Sequence, residues 1–233
     1  MIKKFTEPPF WEDILTEEPI YQKLIINFDI IEKELIRLHK IGKFTKLFYK
    51  YPVQKKNLKL KGTDWWFIDE DTNWKISPIF GAKHDKNIHK RTSKFKVYYY
   101  EFIAFIVRIL CPQTTNLLIQ DFKDGKILNA SIPVLYPNSE IRPHRHPTFN
   151  NKHRMNYHLC VTEDPEAYLT VGYETKSWKR GEIIAFKNSG PYRHSVVHNG
   201  KNIRIILMLE LDVDYLKQYG VFKGERVKDE SKD

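Results

Sequence analysis

The nine residues Ile127-Leu128-Asn129-Ala130-Ser131-Ile132-Pro133-Val134-Leu135, closed by Pro137-Asn138-Ser139, mark the point where the texture of this chain changes. From Lys126 onward the sequence breaks into short apolar segments divided by turn residues. Strand-like segments follow at residues 155–162, 167–171, 183–186, 195–198 and 203–211. Lys179-Arg180-Gly181-Glu182 and Asn199-Gly200-Lys201 supply turns between them, the second with an Asn-Gly step that hairpins favour. Short strands at this spacing predict a double-sheet jelly roll.

Toward the N-terminus the pattern is helical. Leu24, Phe28, Ile31, Leu35 and Leu38 fall on one face of a helix over residues 19–40, with Glu32, Lys33, Glu34 and Arg37 on the other. Residues 49–62 read as a basic, poorly periodic link, a loop or a short strand. Residues 65–68 and 74–81 read as two strands around the turn Asp69-Glu70-Asp71-Thr72-Asn73. Residues 81–96 are polar and basic, as in an exposed loop. Residues 98–110 fit a strand or a buried helix equally, and a helix with Pro112 near its start follows over residues 111–119. The fold class expected is therefore mainly β with N-terminal helices, around a double-stranded β-helix (jelly-roll, cupin-like) core. The expected division is a helical extension at 1–70 packing on the core, the jelly roll at 71–220 and a charged tail at 221–233.

A chain of 233 residues, 41% hydrophobic and 14% aromatic, can bury a substantial single core. Its two cysteines, Cys111 and Cys160, lack a CxxC spacing, which argues against a disulfide scaffold or a structural zinc site. The first nine residues lack the apolar core of a signal peptide. The longest apolar run, residues 97–110, is interrupted by Glu101 and Arg108 and falls short of the ~20 residues that span a bilayer. An intracellular, cytoplasmic protein is the expectation. The net charge of +10 favours acidic partners, yet the lysines are scattered and no nucleic-acid-reading module accompanies them. Nucleic acid is not an expected partner, and the sequence sets no oligomeric state.

The chemistry-bearing residues lie in the β half. Ile141-Arg142-Pro143-His144-Arg145-His146-Pro147 is answered by Ser189-Gly190-Pro191-Tyr192-Arg193-His194-Ser195-Val196, and Arg204 stands ten residues beyond His194. Two histidines on separate strand-like segments, followed by an arginine, describe a mononuclear metal site beside a carboxylate-binding site. Imidazole suits Fe, Zn and Cu alike, so the ligands do not name the metal. Arg204 lies within the apolar segment 203–211, where an unpaired guanidinium is costly, so a fixed anionic partner is expected. His146 fits three roles: a third ligand, a donor behind the ligands, or a solvent-facing residue. His158 fits both a ligand contact and core packing.

Residues 73 to about 215 resemble the aspartyl/asparaginyl β-hydroxylase family of Fe(II)- and 2-oxoglutarate-dependent oxygenases. The resemblance rests on the order and spacing of Trp74-Lys75, Cys111-Pro112-Gln113-Thr114, Tyr136-Pro137, Ile141-Arg142-Pro143-His144, His158-Leu159, Trp178, Gly181-Glu182, Phe186, Ser189, His194-Ser195-Val196, Asn199, Arg204 and Asp212. It implies Fe(II) held by His144 and His194 and 2-oxoglutarate held partly by Arg204, whose fork suits a carboxylate as Lys does not. It also implies oxidative decarboxylation of 2-oxoglutarate with transfer of oxygen to an unactivated C–H bond. Substrates implied are a peptide Asp or Asn side chain, another amino acid, or a lipid acyl chain.

The sequence departs from the family at three places. His146 stands where many members have an Asp ligand; by analogy with members lacking that Asp, iron is expected on His144 and His194 alone, with His146 off the metal. Asn156 replaces an Arg two residues before the His-Leu pair, and Arg154, two further back on the same strand face, is the alternative cosubstrate partner. Lys187-Asn188 replaces an acidic pair before Ser189. Two other readings stand beside the oxygenase: a non-catalytic jelly-roll binding domain, and a three-histidine oxygenase that does not use 2-oxoglutarate.

Overall fold

The computed structural model describes residues 7–43, 47–48, 73–80, 94–146 and 153–221. The expected link at 49–62, strand at 65–68, most of the turn at 69–73, the loop at 81–93, the boundary at residue 70 and the tail from 222 lie outside the described residues.

Three helices open the described chain: α1 (Glu12–Leu15), α2 (Pro19–Ile26) and α3 (Phe28–Gly42). The expected single helix over 19–40 breaks at Asn27, whose side-chain amide donates to the carbonyl of Lys23 at 2.8 Å. An Asn that bonds nearby backbone offers the chain an alternative to the helical ladder. Glu18 starts α2: its carboxylate accepts from the backbone N–H groups of Ile20 and Tyr21 and from the hydroxyls of Tyr157 and Tyr215. That buried carboxylate fastens the helix to the body of the protein.

After β1 (Trp74–Phe80) come α4 (Lys94–Leu110) and α5 (Pro112–Lys123). Residues 98–110, which fitted strand or helix, are helical, and the helix begins at Lys94 inside the expected loop. The start of α5 is capped from another helix, because the Glu34 carboxylate of α3 accepts from the N–H groups of Gln113 and Thr114 at 3.1 and 2.8 Å. Eight strands follow: β2 (Ile127–Leu135), β3 (Ser139–His144), β4 (Arg154–Thr162), β5 (Ala167–Val171), β6 (Glu174–Ser177), β7 (Ile183–Lys187), β8 (His194–His198) and β9 (Arg204–Asp212). A short helix, α6 (Val213–Leu216), follows β9.

The strands form two antiparallel sheets ordered β1-β2-β9-β4-β7 and β3-β8-β5-β6, the two faces of a jelly roll. Alternation along β4 and β9 sorts their residues. Met155, Tyr157, Leu159, Val161, Ile205, Leu207, Leu209 and Leu211 pack with Leu24, Ile31, Leu35 and Leu38 on the helix side. Cys160, Ile184, Phe186 and Ile206 face the interior with Ile141, Leu169, Val171 and Val196 of the smaller sheet. By the same parity Arg154, Asn156, His158, Arg204 and Glu210 point inward. Polar residues at alternate positions of otherwise apolar strands are thus delivered to the inside of the roll.

β6 has no counterpart in the sequence reading, and β3 shows there only as a strand-like stretch around His144; they are the two edges of the smaller sheet. Edge strands tolerate polar residues and proline, and β3 carries Pro143. The Asn199-Gly200 step does not make a hairpin, since β8 and β9 belong to different sheets. Gly200 is required for a close approach: a Cβ there would lie 1.8 Å from Oδ1 of Asp164, whose carboxylate accepts from the N–H groups of Lys201 and Asn202. Among the described residues no helix is long and apolar enough to cross a membrane.

Candidate metal centre

His144 is the last residue of β3 and lies in register with His194, the first residue of β8, with ring centroids 4.3 Å apart. The register slips between Ile141 and His144, and such irregularities re-aim side chains at strand ends. His146 follows two residues on, and its backbone N–H donates to the carbonyl of Asn188 at 3.1 Å. Its Nε2 is 3.1 Å from Nε2 of His144, and its ring stacks on that of His194 at 5.4 Å. One ligand atom from each of the three histidines falls within 4.8 Å of the others. Burial lowers the pKa of His144 and takes those of His146 and His194 well down, the neighbouring histidines adding to the effect for the latter two. Neutral imidazoles are the form that binds metal.

A second group of polar residues lies on the inner face beside this cluster. Arg204 is 2% exposed, its guanidinium sits 4.0 Å over the Trp178 ring, and its Nε and Nη1 have no hydrogen-bond partner. Desolvation lowers its pKa to about 10. His158 stacks on Trp178 at 6.2 Å and meets Phe186 edge-on at 5.0 Å. Both of its ring nitrogens lack a partner, as do Nε1 of Trp178 and Oδ1 of Asn156. Desolvation, with Arg204 beside it, takes the His158 pKa well below its ordinary value. Phe186 lies 5.1 Å from His194, so it bridges the two groups. Buried polar atoms are almost always satisfied in native proteins, so a cluster of orphans on one inner face beside the histidines makes it a candidate ligand site.

Arg154 reaches the same face, but its Nη1 donates to both carboxylate oxygens of Glu210 at 2.9 Å. Glu210 accepts in addition from the amides of Asn188 and Asn129. Of the two arginines singled out from the sequence, Arg204 has unfilled donors and Arg154 is committed to a carboxylate. The Lys187-Asn188 pair is accommodated in the same way. Lys187 forms a buried ion pair with Glu7 and lies 4.7 Å over Trp11, while Asn188 serves Glu210. Glu210 went unnoticed in the sequence although its even spacing from Arg204 along β9 places it inside. Trp178 had no signal beyond its place in the family pattern.

A jelly roll that brings three histidines together beside a buried arginine fits a metal-dependent enzyme, and the family match makes it one of the hydroxylase type. The family profile described as Aspartyl/Asparaginyl beta-hydroxylase matches residues 27–213, and the chain belongs to that family. No curated protein matches it. Among solved structures, a predicted oxalate decarboxylase from Thermotoga maritima is 14% identical, with a TM-score of 0.31 over 40% of this chain and 73% of that one. The Cnp3 cupin domain of Schizosaccharomyces pombe is 16% identical, with a TM-score of 0.30 over 41% and 64%. A cupin 2 conserved barrel domain protein from Salinispora arenicola is 14% identical, with a TM-score of 0.28 over 40% and 69%.

Proposed function

We propose that the protein is an Fe(II)- and 2-oxoglutarate-dependent dioxygenase that hydroxylates an unactivated C–H bond of an Asp or Asn side chain, another amino acid or a lipid acyl chain. The observation that supports this most strongly is Arg204, a buried guanidinium with two unpartnered nitrogens on the inner face that leads through His158 and Phe186 to His194. An unpaired buried charge is costly, and a carboxylate removes that cost. Together, bound Fe(II) and 2-oxoglutarate supply oxidative decarboxylation to succinate and CO2 with delivery of one oxygen atom to the substrate.

The chain's own residues then have defined tasks. His144 and His194 hold the metal through neutral imidazoles. Arg204 takes a carboxylate of the cosubstrate in its fork, and Trp178 fixes the plane of the guanidinium beneath it. His158, held neutral by burial and by Arg204, offers an N–H to a carboxylate without exchanging a proton at neutral pH. Phe186 and Trp178 keep water from the space between them and the metal.

The reading is tested by anaerobic loading with Fe(II) and 2-oxoglutarate, admission of O2 and measurement of succinate with and without candidate substrates. Succinate in proportion to O2, lost in His194→Ala, supports it. Metal binding without succinate formation refutes it in favour of a binding domain or of an oxygenase using no 2-oxoglutarate.

A further inference from the structure

We propose that His146 is a third ligand, so that the metal is held by three imidazoles with no carboxylate in its coordination shell. The inference rests on the reading that the histidine cluster holds a metal ion. It departs from the sequence expectation, which set His146 off the metal.

The first ground is distance. Metal–nitrogen bonds of ~2.0–2.1 Å place two ligand atoms at right angles to one another ~3.0 Å apart. The Nε2 atoms of His144 and His146 are 3.1 Å apart. All three ligand atoms lie within 4.8 Å of one another, so the third ring reaches the ion by a shift of a few tenths of an ångström toward the ~4.2 Å that two such bonds span at most.

The second ground is where the protons sit. Nδ1 of His144 is 2.8 Å from the carbonyl of Arg142, which only accepts, so Nδ1 carries the hydrogen. Nε2 of His144 is then a bare lone pair aimed at Nε2 of His146. Two bare nitrogens at that distance repel, and either a proton or a cation belongs between them. In the metal-free protein His146 donates from Nε2. With a metal bound, His146 would carry its hydrogen on Nδ1 instead, which would leave Nε2 of both histidines free to ligate.

The third ground is that His146 is held in place. Its N–H is bound by the Asn188 carbonyl, Asn188 N–H donates to the carbonyl of Arg154, and the Asn188 side chain donates to Glu210. The chain that follows β3 is thereby fastened to β4 and β9. Among the described residues no carboxylate joins the cluster, and Glu210 is engaged by Arg154 and two asparagines. Three neutral ligands leave the full dipositive charge on the ion, so the open positions favour a chelating dianion over neutral ligands.

The test uses the full chain loaded with Cu(II) or Co(II), reading the number of coordinated imidazoles from nitrogen hyperfine couplings of the Cu(II) form and the dissociation constant from Co(II) titration. The expected count is three in the wild type and two in His146→Ala. The expected loss of Co(II) affinity in His146→Ala exceeds ~100-fold, beyond the 10–100-fold that removing a partner behind a ligand costs. His146→Asp restores a ligand, so it recovers affinity while still reading two imidazoles, and it serves if the alanine variant fails to fold. A wild-type count of two, or an unchanged count and affinity in His146→Ala, overturns the proposal. Three imidazoles without succinate formation would refute the 2-oxoglutarate-dependent reading and leave this assignment standing; succinate with two imidazoles would do the reverse.

Discussion

Replacing Arg204 with methionine should make the ligand-free protein more stable while abolishing its response to 2-oxoglutarate. Burial lowers the guanidinium pKa from its ordinary 12.5 to about 10, and at 1.36 kcal/mol per unit this is a cost of ~3 kcal/mol in the folded state. The cation–π contact with Trp178, 4.0 Å from the ring centroid, returns ~1–2 kcal/mol. Methionine fills similar space with an unbranched chain, so the net gain is ~1–2 kcal/mol, or ~2–8 °C in Tm for a chain of this size. A base whose pKa falls on folding binds fewer protons folded than unfolded, so the cost is full at neutral pH and is relieved only as pH rises through about 10. The stability difference between variant and wild type should therefore stay level from neutral pH to about pH 9. Thermal unfolding of metal-free protein reads the first effect, and repetition with Mn(II) and 2-oxoglutarate reads the second. At 100 times its dissociation constant the ligand stabilises the wild type by ~2.7 kcal/mol and should leave the variant unmoved. A variant that is less stable without ligand, yet still stabilised by 2-oxoglutarate, would refute the reasoning.

Glu210→Ala removes the buried carboxylate that pairs with Arg154 and should cost ~3–5 kcal/mol in a denaturant melt, whereas the double variant Arg154→Met/Glu210→Leu should cost far less. Gly200→Ala drives a methyl group into the Asp164 carboxylate and must break at least one of its bonds to the backbone, a loss of ~1–3 kcal/mol by the same melt. Burial pushes the thiols of Cys111 and Cys160 up to about 12, leaving roughly one in ten thousand as thiolate at pH 8. Neither should react with a disulfide reagent in the native protein, and both should react on unfolding.

The strands of the larger sheet were legible because each is an apolar segment long enough to stand out, as Ile127–Leu135 is. Glu174–Ser177 escaped, and Ser139–His144 showed only as a strand-like stretch around its histidine, because both lie at sheet edges where little apolar surface is buried and the composition resembles a loop. That His144 and His194 converge and that Arg204 is buried could be read from the sequence. That Arg154 was spoken for by Glu210 could not, because the pairing joins strands whose register only the folded sheet sets. The Asn199-Gly200 step misled for a related reason: a dipeptide suited to a hairpin turn is also suited to a crossing between sheets when a carboxylate must pass close to the backbone. Asn27 splits a helix whose hydrophobic period runs unbroken through it, and periodicity carries no record of a side chain that competes for backbone bonds.

On the proposed reading, a metal on the histidine cluster and the Arg204 guanidinium hold the two ends of one dicarboxylate. Anaerobic calorimetric titration of 2-oxoglutarate into Fe(II)-loaded protein, metal-free protein and metal-loaded Arg204→Met tests it directly. One equivalent should bind tightly to the loaded wild type, with affinity falling roughly a hundredfold or more when either the metal or the guanidinium is removed. Equal affinity in all three, or no binding to the loaded wild type, would contradict it.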